Sequence, residues 1–135
     1  MVKTYKKGSG TPLSEHFTTA SFDCHCTRAS CAETLVDESL PPALELLWKI
    51  AGPFEVNSGY RCMEHNAEVG GKQDSQHMFG KAADCQSLKG YSGPAMARYA
   101  EQVPRFSAGG VGVYKDFCHV DTRGYRARWS APLSC

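Results

Sequence analysis

Ser75-Gln76-His77-Met78-Phe79-Gly80-Lys81-Ala82-Ala83-Asp84-Cys85, read together with Asp116-Phe117-Cys118-His119-Val120-Asp121, decides how this chain is interpreted. A catalytic zinc needs three protein nitrogen or oxygen ligands and keeps a fourth position open for water or a substrate carbonyl. His77, Asp84 and His119 satisfy that count. A carboxylate outside the ligand set must then reach the attacking water and take its proton. Asp116, three residues before His119, has the spacing for that task. A single His or Asp is usually structural or solvated, but the joint spacing of these four implies a hydrolytic zinc site.

The elements around these residues follow from periodicity. Small Ala side chains in Lys81-Ala82-Ala83-Asp84-Cys85 permit close strand packing, with Asp84 on the same face as Ala82. Val111-Gly112-Val113-Tyr114 and Phe117-Cys118-His119-Val120-Asp121 read as two strands around a tight Lys115-Asp116 turn. In the second strand His119 and Asp121 share a face, and Cys118 and Val120 occupy the other. Asp121 could therefore accept the second ring N–H of a ligand imidazole. Phe54-Glu55-Val56-Asn57-Ser58 alternates apolar and polar before Gly59, as a short strand does. Leu40, Leu44, Leu47 and Trp48 fall at helical spacing behind Pro41 and Pro42, with Gly52 as a stop. Pro94 to Val103 predicts another helix, ending before Pro104. Residues 1–12, rich in Lys, Gly and Thr, are expected to be a flexible lead-in to a domain spanning 13–135.

A chain of 135 residues suits one domain that buries roughly two-thirds of its unfolded surface. With 15 basic and 14 acidic side chains the formal net charge is +1, so neither nucleic-acid backbones nor anionic membranes are favoured partners. No stretch approaches the roughly 20 apolar residues of a membrane span, so no membrane insertion is expected. The start, Met1 to Lys7, is charged without the apolar run of a secretory signal. Seven cysteines cannot all pair within one molecule. Cys24, Cys26 and Cys31 cluster with His25, whereas Cys62, Cys85, Cys118 and Cys135 are scattered. Disulfides, buried thiols and a structural metal on the N-terminal cluster all remain open, although the C-x-C-x4-C spacing lacks the paired C-x2-C knuckles of common zinc ribbons.

The ordered series Ser14-Glu15-His16-Phe17, Asn57-Ser58-Gly59-Tyr60-Arg61, His65-Asn66, Val69-Gly70-Gly71, Ser75 to Asp84, Gly109 to Tyr114 and His119 to Gly124 resembles a known family. It is that of the zinc D-alanyl-D-alanine peptidases of bacterial cell walls and phage endolysins, whose fold is shared with the hedgehog signalling domain. The resemblance implies a small α+β domain with a central antiparallel sheet, packed helices and zinc in a cleft on the sheet. It implies zinc ligands at His77, Asp84 and His119, a catalytic carboxylate at Asp116, and Arg61 beside the scissile carbonyl. Ser75, two residues before His77, could hold the substrate backbone.

The function so implied is hydrolysis of peptidoglycan stem peptides, as a carboxypeptidase removing a terminal D-Ala or as an endopeptidase. A monomer is expected. The start of the chain favours a phage-encoded lysin, cytoplasmic before it reaches the wall. A zinc-containing binding module of the same fold is the alternative, against which Asp116 and Arg61 argue. A cysteine hydrolase would need a thiolate held by an adjacent base, but His119 belongs to the metal motif and Cys118 faces away from it. His16, His25 and His65 read as structural or exposed residues, and Arg61 as a loop cap or partner of Glu64 is the plain competitor to its catalytic role.

Overall fold

The computed structural model describes residues 1–131 and has an α+β architecture. Helix α1, Leu40–Ala51, buries Leu40, Ala43, Leu44, Leu47 and Ala51 along one stripe, and its backbone ends where the N–H of Gly52 donates to the carbonyl of Trp48 at 2.8 Å. Leu44 and Leu47 are fully buried, each worth roughly 1.5–3 kcal/mol by removal from water. A short helix α2 covers Met63–Glu68, α3 covers Gly93–Ala100, and a single turn α4 covers Pro104–Ser107. The prolines at the start of α3 and α4 sit where the first helical N–H groups have no partner within the helix.

The main sheet contains β3 (Phe54–Ser58), β4 (Ala82–Ser87), β5 (Gly110–Val113), β6 (Cys118–Asp121) and β7 (Ala127–Ser130), in the order β3-β4-β6-β5-β7. Its first four strands are antiparallel neighbours, as the strand patterns predict. The fifth differs: β7 runs parallel to β5, so the sheet is mixed at that edge. One face of β4, β5 and β6 presents Ala83, Cys85, Val111, Cys118 and Val120 to the core, where they meet Leu40, Leu44, Met96, Val103 and Phe106. The opposite face carries Asp84, Gly112, His119 and Asp121, since side chains alternate along a strand.

Residues 1–12 are not the flexible lead-in expected from their composition. Val2–Lys6 form β1, paired antiparallel with β2 (Glu33–Asp37) from Val2 opposite Asp37 to Lys6 opposite Glu33. The ribbon is tied down by Tyr5, which packs on the core, by the buried Thr34 and Val36, and by Asp37. The Asp37 carboxylate accepts bonds from Ser39 and, at 2.6 Å, from Thr122 at the end of β6. Polar side chains dominate β1 because most of its surface faces solvent, and so its local composition resembles a loop. No described helix is long and apolar enough to cross a membrane.

Candidate metal centre and its cleft

Register is what assembles the centre. In the β4–β6 pair, Asp84 lies directly opposite His119, so two of the sequence-predicted ligands become cross-strand neighbours. The third arrives from the connection to β4, where Gln76–Phe79 form a turn of 3-10 helix capped at its start by Ser75. The Ser75 hydroxyl accepts the His77 backbone N–H at 3.3 Å. The turn ends at Gly80, whose φ of 72° is left-handed and whose Cα faces the Leu35 carbonyl too closely for a side chain.

Three atoms converge as a result. His77 Nε2 and His119 Nδ1 each lie 3.2 Å from Asp84 Oδ1, and all three potential ligand atoms are within 4.8 Å of one another. The remaining ring nitrogens are engaged elsewhere. His77 Nδ1 donates to the carbonyl of Gly59 at 2.6 Å, and His119 Nε2 donates to Asp121 Oδ2 at 2.7 Å. Those bonds leave His77 Nε2 and His119 Nδ1 as lone pairs aimed at a carboxylate oxygen. Three acceptors facing one point in a buried setting call for a cation, and two imidazoles plus one carboxylate are a donor set that suits zinc with an open position.

The electrostatics agree. Burial pushes the Asp84 carboxyl up, but hydrogen bonds and charge from His119 and His77 outweigh it and hold Asp84 well below the usual carboxylate range. Burial lowers the His77 pKa, and Asp84 offsets this only in part. At His119 burial also acts downward, yet Asp121 and Asp84 together raise it: this imidazole sits where positive charge is wanted. Asp121 is fully buried and also accepts from Arg123 Nε at 2.9 Å and from the Gly110 N–H at 2.9 Å.

The centre opens into a cleft of about 690 Å³. Arg61 lines it, with its Nη2 3.8 Å from Asp84 Oδ2. Arg61 does not pair with Glu64. Its guanidinium is held by Asn66 Oδ1 at 2.9 Å and Ser58 Oγ at 3.3 Å, and its backbone N–H donates to the His77 carbonyl at 3.1 Å. Ser75 also lines the cleft. Asp116 is exposed on the β5–β6 turn, outside the lining of the cleft, although the residues on either side of that turn, Tyr114 and Phe117, stack at 4.5 Å and form part of the wall. The structure thus brings together His77, Asp84, His119, Asp121, Arg61 and Ser75, and leaves Asp116 at the surface.

Several contributors had no role assigned from sequence. Trp129, on β7, tilts over His119 with ring centroids 4.8 Å apart, and its Nε1 donates to Tyr114 Oη at 3.1 Å. Gly59, Ser58 and Asn66 lie in motifs that the sequence displays, but their work, holding His77 and Arg61, depends on where the chain returns. Cys85 and Cys118 are opposite each other on the core face of the sheet. Burial pushes the Cys118 thiol up to about 12 and Cys85 well above its ordinary value, so neither is a nucleophile facing the cleft.

The sequence pattern of the family described as Peptidase M15 matches residues 15–121, a span that holds all three ligand candidates, Arg61, Asp116 and Asp121. The chain belongs to the peptidase M15 family. Among curated proteins, this member of the M15 family is 33% identical over 102 residues to the zinc D-Ala-D-Ala carboxypeptidase of Streptomyces albus G. That match covers 69% of the chain but 39% of the Streptomyces protein, so the chain spans about two-fifths of that relative's length. Zinc is the cofactor of M15 peptidases, and the His77–Asp84–His119 trio is one of the groups among the described residues that could hold a metal ion.

Proposed function

We propose that this M15 peptidase hydrolyses peptide bonds in bacterial peptidoglycan stem peptides, by removing a terminal D-Ala or by cutting within or between stems. The observation that carries the reading is the convergence of three acceptor atoms, those of the two imidazoles fixed from behind, in an open cleft. The name of the Streptomyces relative, a zinc D-Ala-D-Ala carboxypeptidase, supports the substrate class.

Zinc bound by His77, Asp84 and His119 would polarise the scissile carbonyl and lower the pKa of a water from about 15.7 toward 7. Asp116 takes the proton of the attacking water and returns it to the leaving amine. Arg61, pinned by Asn66 and Ser58, donates to the carbonyl oxygen as negative charge builds there. Asp121 holds the His119 ring so that its Nδ1 stays directed at the metal position. Ser75, at the mouth of the 3-10 turn, offers its hydroxyl to the substrate backbone. The turn carrying Asp116 lies between two cleft-wall aromatics, Tyr114 and Phe117, and the reading requires that turn to carry the carboxylate into the cleft when substrate is bound.

The exposed position of Asp116 also favours a second reading, a zinc-containing module that binds peptidoglycan without cutting it. Mass spectrometry of purified peptidoglycan fragments, incubated with zinc-loaded protein and with Asp116→Ala, separates the two. Loss of one D-Ala identifies a carboxypeptidase, and fragments split inside the stem or cross-bridge identify an endopeptidase. Either activity should vanish in Asp116→Ala while zinc stays bound. No product from a zinc-bound wild type would overturn the peptidase reading in favour of the binding module.

A further inference from the structure

A second cluster of metal-ligating side chains lies outside the cleft. Cys24, Cys26 and Cys31 come from the segment before β2, and Cys62 is the residue immediately before α2. Cys62 is 31 residues beyond Cys31 in sequence, yet the fold brings all four sulfurs within 4.8 Å of one another. Cys62 Sγ lies 3.7 Å from Cys24 Sγ and 3.7 Å from Cys26 Sγ. Four sulfurs at about 2.3 Å from a central zinc stand about 3.8 Å apart along the edges of the tetrahedron. Disulfides would instead join them in pairs at about 2.0 Å.

The surroundings match that geometry. Lys7 Nζ donates to the Cys26 carbonyl at 2.8 Å and stands 3.7 Å from both Cys26 Sγ and Cys31 Sγ. The Cys62 backbone N–H points at Cys24 Sγ at 3.4 Å. An ammonium and an amide N–H aimed at sulfur are what thiolates recruit, and four thiolates around a divalent ion leave a net charge of −2 that Lys7 partly offsets. Cys24, Cys31 and Cys62 are buried, with Tyr60 packed beside them.

We propose that Cys24, Cys26, Cys31 and Cys62 bind a structural zinc ion through four thiolates, at a site separate from the cleft. Each thiol releases its proton to solvent on binding, and no ligand position is left open for water. The site ties the N-terminal loop to the start of α2. Because Arg61 immediately precedes Cys62, the same clamp fixes the backbone from which the Arg61 guanidinium reaches Asp84. The bidentate Arg28–Glu68 pair, at 3.1 and 2.6 Å, closes the same two segments from the solvent side.

Metal content and cobalt spectroscopy on the full chain test this. Wild type purified under reducing conditions should carry two zinc ions, and the His77→Ala/His119→Ala double variant should carry one. Cobalt exchanged into that double variant should give thiolate-to-metal charge transfer and the intense visible bands of a tetrahedral tetrathiolate. Cys31→Ser should lose one zinc and keep the other. If Cys31→Ser does not fold, the His double variant still decides the matter, because all four cysteines remain. A His double variant that carries no zinc, cobalt without sulfur charge transfer in that variant, or a native mass lowered by the hydrogens lost on forming disulfides among these cysteines would each overturn the site.

Discussion

Asp84 and His119 face each other across adjacent antiparallel strands, with Oδ1 and Nδ1 3.2 Å apart, and the His119 ring is held from behind by Asp121 at 2.7 Å. The candidate metal centre is therefore built on two interior strands of the sheet, and its third candidate ligand, His77, is delivered by a turn fastened to the Gly59 carbonyl.

Removing a ligand and removing its support should differ in degree. His77→Ala and His119→Ala should each abolish zinc binding in the cleft. Asp121→Asn, which keeps a partner for the ring but loses the charge, should weaken zinc by about 10- to 100-fold. Competition with a chromophoric chelator measures both, and equal loss in all three variants would contradict the separate part given to Asp121.

Arg61→Ala should lower kcat by about 100-fold, on the order of 3 kcal/mol, if the guanidinium serves the carbonyl oxygen. Arg61→Lys should recover only part of this, since a single ammonium cannot keep the Asn66 and Ser58 bonds and also reach the cleft. Steady-state kinetics with zinc occupancy checked in each variant would reveal the effect. A change confined to KM would assign Arg61 to substrate binding alone.

Gly112 opposes His119 on β5, and a Cβ there would come within 2.4 Å of the Trp129 indole, which is itself held by Tyr114. Gly112→Ala should therefore cost about 1–3 kcal/mol of stability by overpacking. The same substitution in a Trp129→Ala background should cost much less. Denaturant unfolding of the four proteins in that cycle gives the coupling directly.

Asp37 reports on the ribbon. Burial pushes its carboxyl up, but hydrogen bonds from Thr122 and Ser39 and the charge of the N-terminus hold its pKa below the ordinary value. A lowered folded value means that the stabilisation is fully present above the unfolded pKa of about 3.9 and is lost as pH falls through the folded value. Thermal melts of wild type should fall steeply below about pH 4, and Asp37→Asn should show a shallower acid limb together with lower stability at neutral pH. Parallel acid limbs in the two proteins would remove Asp37 from that account.

The sequence by itself singled out the candidate ligands of the centre and determined the elements nearest to them. His77, Asp84 and His119 stand out by residue type and spacing, and α1, β3, β4 and β6 are written in periodicities that need no distant partner. The two faces of β6 were legible for the same reason, since alternation is a property of the strand alone. What only the tertiary structure decided involves residues far apart in the chain. β1 exists because β2 offers it a ladder and the core accepts Tyr5, although its own composition is that of a loop. β7 lies parallel to β5, bringing Trp129 onto His119, and no local pattern encodes that return. Cys62, unremarkable among scattered cysteines, completes a four-sulfur cluster because the turn after β3 packs against the N-terminal loop. Short-range order follows from each residue's own backbone and side-chain preferences, whereas these placements follow from burial and pairing that arise only when the whole chain has closed.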